Sequence, residues 1–175
     1  MNITFSSDGD TLALEDVKKA SALCEAYFST EKDVTQIPTS TLNSQWIYDH
    51  IKEYLNIIRL DGIMIGYTFM LPSTLSLMKD FITHNITEAT LFEQLKYLDL
   101  TQPPEAIYLS DTVLLPAYRG NGFATTAFVK TLTAITAASP IKPVLFYWKH
   151  SPEGERLAQR IVQETGLVLH VKTDA

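Results

Sequence analysis

A turn with two glycines lies between an apolar run and a segment of helical periodicity. Gly120 and Gly122 are separated by one residue, so the backbone can adopt conformations closed to other residues and can approach a ligand closely. A helix that begins directly afterwards presents free N–H groups and the positive end of its dipole to that ligand. The turn therefore predicts a site for a phosphate or diphosphate group.

The same residues resemble the acetyl-CoA signature of the GCN5-related N-acetyltransferase (GNAT) superfamily, which reads Arg or Gln, two residues, Gly, one residue, Gly or Ala. Arg119, Gly122 and Ala124 fill the defined positions, and Pro116 matches a frequent upstream proline. The resemblance implies that acetyl-CoA is the co-substrate and that Arg119 either contacts phosphate or braces the turn. The diphosphate would lie on the backbone amides of Gly120, Asn121, Gly122, Phe123, Ala124 and Thr125.

The resemblance also assigns the strand before the turn. In the family two strands diverge at a bulge, and the pantetheine arm enters the gap along the strand edge. That edge corresponds to Thr112, Val113 and Leu114. Their backbone amides would hold the thioester carbonyl, where negative charge develops as an amine attacks.

A general base is required, because an ammonium group has no lone pair with which to attack. Asp111 is the first candidate, since an acid within an otherwise apolar strand needs a reason, and Tyr108 is the second. The alternative for Asp111 is a structural carboxylate at an exposed edge or against a loop amide. Regular alternation would put Tyr108 and Ser110 on the face opposite Asp111, and a bulge would change this.

One position departs from the family. The tyrosine that protonates the departing thiolate, four residues before the glycine that ends the last helix, corresponds to Val162 when counted back from Gly166. We therefore expect either acetyl transfer to a primary amine of a small molecule or peptide, or a non-catalytic acyl-CoA-binding or interaction module with the same fold.

The periodicity of the chain predicts the elements that would position these residues. Apolar spacing predicts a helix over Leu12–Ser29 and a second helical pattern from Leu42 to Tyr54. The Asp61-Gly62 turn predicts a hairpin, whose second strand should end at Pro72. Helices are expected after Gly122 and Ser151. The predicted strands are Tyr54–Leu60, Ile63–Leu71, Ile107–Leu115, Val144–Trp148 and Leu167–Val171.

This order predicts an α/β domain over residues 1–175, with a mixed sheet flanked by helices and later strands that run parallel. The segment Ser73–Pro104 is longer than a hairpin needs, so we interpret it as a helical insertion between the third and fourth strands. It would be a pad on the sheet, a cover for the acceptor site or a contact for a homodimer. Few residues follow Gly166, so the usual final strand is expected to be missing or supplied by a partner.

Composition limits the function classes. The net charge of −6 without a basic run argues against nucleic acid and favours a cationic partner. The single cysteine, Cys24, falls on an apolar stripe and is interpreted as core, and the histidines lack metal-ligand spacing, so no metal is expected. No window approaches the length of a membrane span and no leader is evident, so we expect a cytoplasmic protein that does not bind membranes.

Overall fold

The structure, a computed structural model, describes residues 2–9 and 11–174. Its helices are α1 Leu14–Phe28, α2 Thr41–His50, α3 Leu75–Ile82, α4 Glu88–Leu95, α5 Phe123–Ala137 and α6 Pro152–Thr165. Its strands are β1 Ile3–Phe5, β2 Leu55–Leu60, β3 Ile63–Ser73, β4 Ala106–Leu114, β5 Val144–Trp148 and β6 Leu169–Lys172.

The described strands form one six-stranded sheet in which spatial order follows sequence order. Strands β1 to β4 pair antiparallel, and β4, β5 and β6 pair parallel. Asp61 and Gly62 both have positive φ, at 49° and 84°, which gives the tight turn that joins β2 to β3. The predicted mixed sheet flanked by helices, with parallel later strands, is confirmed.

Helices cover both faces of this sheet. Asn56 on β2 donates from Nδ2 to the carbonyl of Ala127 on α5 at 3.0 Å, so α5 lies on one face. Alternation puts the next residue, Ile57, on the other face, where it pairs with Tyr67. Tyr67 contacts Cys24 on α1, so α1 lies on that opposite face. The face of the sheet that α1 covers is called the α1 face.

The predicted helical insertion between β3 and β4 is confirmed, and it consists of α3 and α4. Thr74 and Thr87 cap these helices by accepting hydrogen bonds from the backbone N–H groups of Leu77 and Thr90. The insertion packs on the sheet through a row of buried apolar side chains, which are Leu77, Met78, Phe81, Leu91, Phe92 and Leu95.

Several element ends differ from the sequence prediction, and one strand was not predicted. The last strand begins at Leu169 rather than Leu167 and ends at Lys172 rather than Val171. Strand β3 does not end at Pro72 but continues to Ser73, because β2 pairs only as far as Phe69 and Pro72 needs no N–H for a second neighbour. The second helix ends at His50, before a short 3₁₀ turn. Strand β1 was not predicted, since three residues are too few for a periodicity.

No helix in the described ranges is long and apolar enough to cross a bilayer.

Candidate active site

A gap opens between β4 and β5. The two strands pair only where Ala106–Tyr108 meets Val144–Phe146, so the rest of β4 has no neighbour on that side. A cleft of about 900 Å³ passes through the gap, lined by residues 108–114 of β4 and by Tyr147 and Trp148 of β5. Its volume lies within the range of small-molecule sites, of the order of 300–1,000 Å³.

A bulge at Ser110 determines which side chains of β4 face this cleft. Phe69 on β3 pairs with Asp111, whereas the following residue, Met70, pairs with Leu109, so Ser110 is the extra residue. The bulge shifts the alternation by one position, and Tyr108 and Asp111 therefore share the α1 face. Regular alternation would have separated them.

The free edge of β4 presents backbone groups from alternate residues. The N–H of Leu115 donates to Ile65 of β3 at 2.9 Å, and the carbonyl of Val113 lies against Gly66 of β3. Alternation therefore directs the backbone groups of Thr112 and Leu114 away from β3 and into the gap. The sequence analysis assigned the backbone amide of Val113 to this edge as well. In the structure Val113 lines the cleft with its side chain, and its backbone groups face β3.

The glycine turn follows β4 through a 3₁₀ turn at Pro116–Tyr118. Gly120 and Gly122 have φ of 80° and 77°, a region that other residues rarely adopt. Arg119 braces the turn, because its Nε donates to the carbonyl of Leu114 at 2.9 Å. Asn121 is a second brace, with its side-chain amide donating to the carbonyls of Tyr118 and Arg119.

The N–H groups of residues 120–125 have no acceptor in the part of the chain that the structure describes, and the first helical bond runs from Thr126 to Gly122. Consecutive free amides at a helix N-terminus fit a diphosphate. Arg119, Arg156 and Arg160 also line the cleft. All the predicted cofactor residues line the cleft except Asn121.

The opposite end of the cleft carries Glu88, which sequence reasoning missed. Glu88 is the first residue of α4 in the insertion. It accepts a hydrogen bond from Tyr108 Oη at 2.9 Å and one from the backbone N–H of Ile37. Burial raises the pKa of the Glu88 carboxyl to about 7, the Tyr108 hydrogen bond lowers it in part, and the charge of Asp111 raises it further. An acid in the first turn of a helix is ordinary in sequence, so no signal distinguished it.

Asp111 lies in a second polar group on the same face. Its carboxylate accepts a hydrogen bond from Tyr67 Oη and is in hydrogen-bonding contact with Cys24 and Ser110. Burial raises the pKa of Asp111, and these hydrogen bonds partly oppose the rise. Burial also raises the pKa of Cys24, which keeps this thiol protonated and unsuited to nucleophilic attack.

The remaining predicted positions fall in or beside the cleft. Ala158 and Ile161 of α6 line it, whereas Val162, at the position of the family's tyrosine, is not among the lining residues of the described chain. His150 lines the cleft and its ring lies 4.0 Å from that of Trp148. Burial lowers the pKa of His150, which favours the neutral imidazole.

Comparison with known proteins places this geometry in a fold. No protein-family model matches the chain, and no curated protein matches it. Among solved structures it is similar to AAC(6')-Iy in complex with the bisubstrate analog CoA-S-monomethyl-acetylneamine, at 15% identity and a TM-score of 0.54, covering 95% of this chain and 91% of that chain.

Two further structures have the same architecture. An N-acetyltransferase from Staphylococcus aureus Mu50 is 10% identical, with a TM-score of 0.53, over 91% of this chain and 82% of that one. The GNAT-like decarboxylase GphF, in complex with isobutyryl-CoA, is 12% identical, with a TM-score of 0.54, over 95% of this chain and 78% of that one. At these identities the likeness shows a shared fold, and the decarboxylase shows that the fold alone does not decide the reaction.

Proposed function

We propose that this chain, which has the GNAT fold, transfers the acetyl group of acetyl-CoA to a primary amine of a small molecule or peptide. The observation that carries the proposal is the pair of carboxylates, Glu88 and Asp111, in the same cleft as the free amides of the glycine turn. One end of the cleft is suited to a diphosphate and the other to an ammonium group and its proton. The domain would extend over residues 1–175.

The cofactor would be held mainly by backbone groups. Its diphosphate would lie on the amides of residues 120–125, with the arginines Arg119, Arg156 and Arg160 as counter-charges. The pantetheine arm would run along β4, where the N–H of Leu114 and the backbone groups of Thr112 face the gap; the carbonyl of Leu114 is bonded to Arg119. This arrangement would bring the thioester to the carboxylate end of the cleft.

Glu88 would take the proton from the amine. With a pKa of about 7 it is substantially ionised at neutral pH and yet basic enough to accept a proton, as general-base catalysis requires. The ammonium group first gives one proton to Glu88, and the freed amine nitrogen then bonds to the thioester carbonyl carbon. The C–S bond breaks, and the second proton lost by nitrogen goes to the departing CoA thiolate, which leaves as the thiol. Tyr108 would be a positioning residue, because its hydroxyl donates to Glu88.

The departure of the CoA thiolate does not require a strong general acid. Val162 replaces the family's tyrosine, but a thiolate is a far better leaving group than an amine or alkoxide. Tyr147 of β5 lines the gap, and burial raises its pKa, so its protonated hydroxyl is available at neutral pH.

Two measurements on the purified protein test the proposal. Calorimetry with CoA and acetyl-CoA should give saturable binding, and a folded protein that binds neither would refute it. Free thiol release from acetyl-CoA should then depend on an added primary amine, measured first with pooled amines. Firm CoA binding without amine-dependent thiol release would instead support the non-catalytic module.

Substitution of the carboxylates separates the roles. Glu88→Gln should lower turnover by about 10²- to 10⁴-fold with little change in CoA affinity, the range typical for loss of a general base. Glu93→Gln on the same helix is the matched control, since Glu93 is exposed and pairs with Lys96. Asp111→Asn should retain CoA affinity as well. Should Glu88→Gln keep near-full activity while Asp111→Asn, Tyr108→Phe or His150→Ala loses it, the base is that residue.

A further inference from the structure

The cleft has a branch that neither the cofactor nor the proton transfer uses. Asp111 pairs across the sheet with Phe69, and Phe69 pairs with Leu55, so the three residues form a row on the α1 face. At the usual strand spacing this row extends about 10 Å from β4 towards β2. Phe69 and Leu55 both line the cleft, which therefore continues along the row, away from the gap.

Helices α1 and α2 roof this branch. The lining residues beyond Asp111 are mainly apolar, and they are Val17, Ala20, Ser44, Ile47, Leu55 and Phe69. Asn43 also reaches the branch, but its amide is already bonded to the carbonyl of Pro38 at 2.8 Å and to Lys96 Nζ at 3.1 Å. Ser44 is only 3% exposed, and its hydroxyl has no hydrogen-bond partner in the described part of the chain. The branch thus offers mainly apolar walls and the unused hydroxyl of Ser44.

We propose that the branch holds the apolar body of the acceptor, so that the acceptor is a hydrophobic primary amine such as an alkylamine or arylalkylamine. This inference rests on the proposed function and names its substrate class. The order of groups along the face supports it, because Asp111 on β4 lies between the gap and the branch, and Glu88 is close enough to feel the charge of Asp111. An amine anchored at Asp111 and Glu88, with its tail over Phe69, points its nitrogen towards the thioester.

The charges also indicate which apolar tail enters the branch, that of the acceptor amine or the acyl chain of the cofactor. An acyl chain that reached the branch from the gap would have to cross Asp111, and its methylene groups would cover a carboxylate and remove water from it, which is unfavourable. An ammonium group at the same place would instead pair with the carboxylates. The branch therefore suits the acceptor rather than a long acyl group of the cofactor.

Binding of n-alkylamines from propylamine to hexylamine tests this, measured by calorimetry with and without saturating CoA. Each added methylene should tighten binding by about threefold to fourfold, the value of a buried methylene. 1-Hexanol should bind at least about tenfold more weakly than hexylamine, because it lacks the ammonium charge. Equal affinity across the amine series would overturn the inference, whatever the turnover assay gives.

Filling the branch should reduce the preference for the longer amine. Ala20→Leu should weaken hexylamine by about tenfold or more and leave propylamine nearly unchanged, and Ser44→Val should act in the same direction from the other helix. Ala22→Leu, the same change on the exposed side of α1, is the control. If these variants weaken hexanoyl-CoA and spare hexylamine, the branch holds the acyl chain and the inference is wrong. If hexylamine binds as expected but acetyl-CoA gives no amine-dependent thiol, the inference stands and the proposed reaction fails.

Discussion

The hydroxyl of Tyr108 donates a hydrogen bond to Glu88 at 2.9 Å and so joins β4 to the first turn of α4. This contact links a strand of the sheet to the helical insertion. The bulge at Ser110 puts Asp111 on the same face as Tyr108, so Asp111 lies close enough for its charge to raise the pKa of Glu88. The three groups therefore form one titrating unit. Substitution of Asp111 and substitution of Tyr108 should shift the pKa of Glu88 in opposite directions.

The pH dependence of turnover should reveal this unit. We expect turnover to rise with pH through about 7 as Glu88 loses its proton. Asp111→Asn removes a negative charge that raises the pKa of Glu88 and should move this limb to lower pH. Tyr108→Phe removes a hydrogen bond that lowers the pKa of Glu88 and should move the limb to higher pH. Shifts of both variants in the same direction would contradict the assignment.

Stability should depend on pH through Glu88 as well. Its pKa is raised from 4.5 in the unfolded chain to about 7 in the fold, so the folded state holds the proton more tightly. The contribution of Glu88 to the free energy of unfolding is therefore greatest below about pH 4.5. It falls by up to about 3 kcal/mol as the pH rises to 7. Chemical unfolding at several pH values measures it.

Glu88→Gln provides the reference for that measurement. Other groups titrate in both proteins, so the difference between the wild-type and variant free energies of unfolding isolates Glu88. The difference should change steadily between pH 4.5 and 7 and remain level outside that window. A difference that stays constant with pH would show that Glu88 is not buried in its charged form.

Gly122→Val should abolish CoA binding while the domain stays folded. A Cβ at Gly122 meets no atom of the protein within 4 Å, so it would project into the space that the diphosphate needs. Gly62→Val in the β2–β3 turn is the matched control, because it has a similar φ of 84° and no close neighbour. Both variants should lose comparable stability, and only Gly122→Val should lose affinity in calorimetry. Equal affinities would make the turn purely structural.

Gly66→Ala should disturb β4. A Cβ at Gly66 would lie 2.3 Å from the carbonyl oxygen of Val113 and 3.0 Å from Cα of Leu114, and backbone atoms cannot rotate away. We expect a loss of about 1–3 kcal/mol in the free energy of unfolding and weaker CoA binding, because the free edge of β4 must move. Unchanged melting temperature and CoA affinity would show that the two strands can separate at no cost.

Local signals in the sequence predicted those turns and helix starts whose backbone conformation depends on adjacent residues. The glycine turn, the hairpin at Asp61-Gly62 and the helix that begins after Ser151 each follow from backbone preferences of adjacent residues. The strand order then limited the topology, because parallel strands require helical crossovers. Pro72 was misjudged because the cost of a missing N–H depends on how far a neighbouring strand extends, which is not a local property.

The composition of the candidate site was decided by the tertiary structure. Glu88 and Asp111 are far apart in the chain, and only the packing of α4 against β4 brings them to one cleft. An acid at the start of a helix has the same sequence signature whether it faces water or a catalytic cleft. The bulge at Ser110 likewise reverses the facing of Tyr108 through the register of β3 against β4, and register is fixed by the burial of whole strands rather than by any single residue.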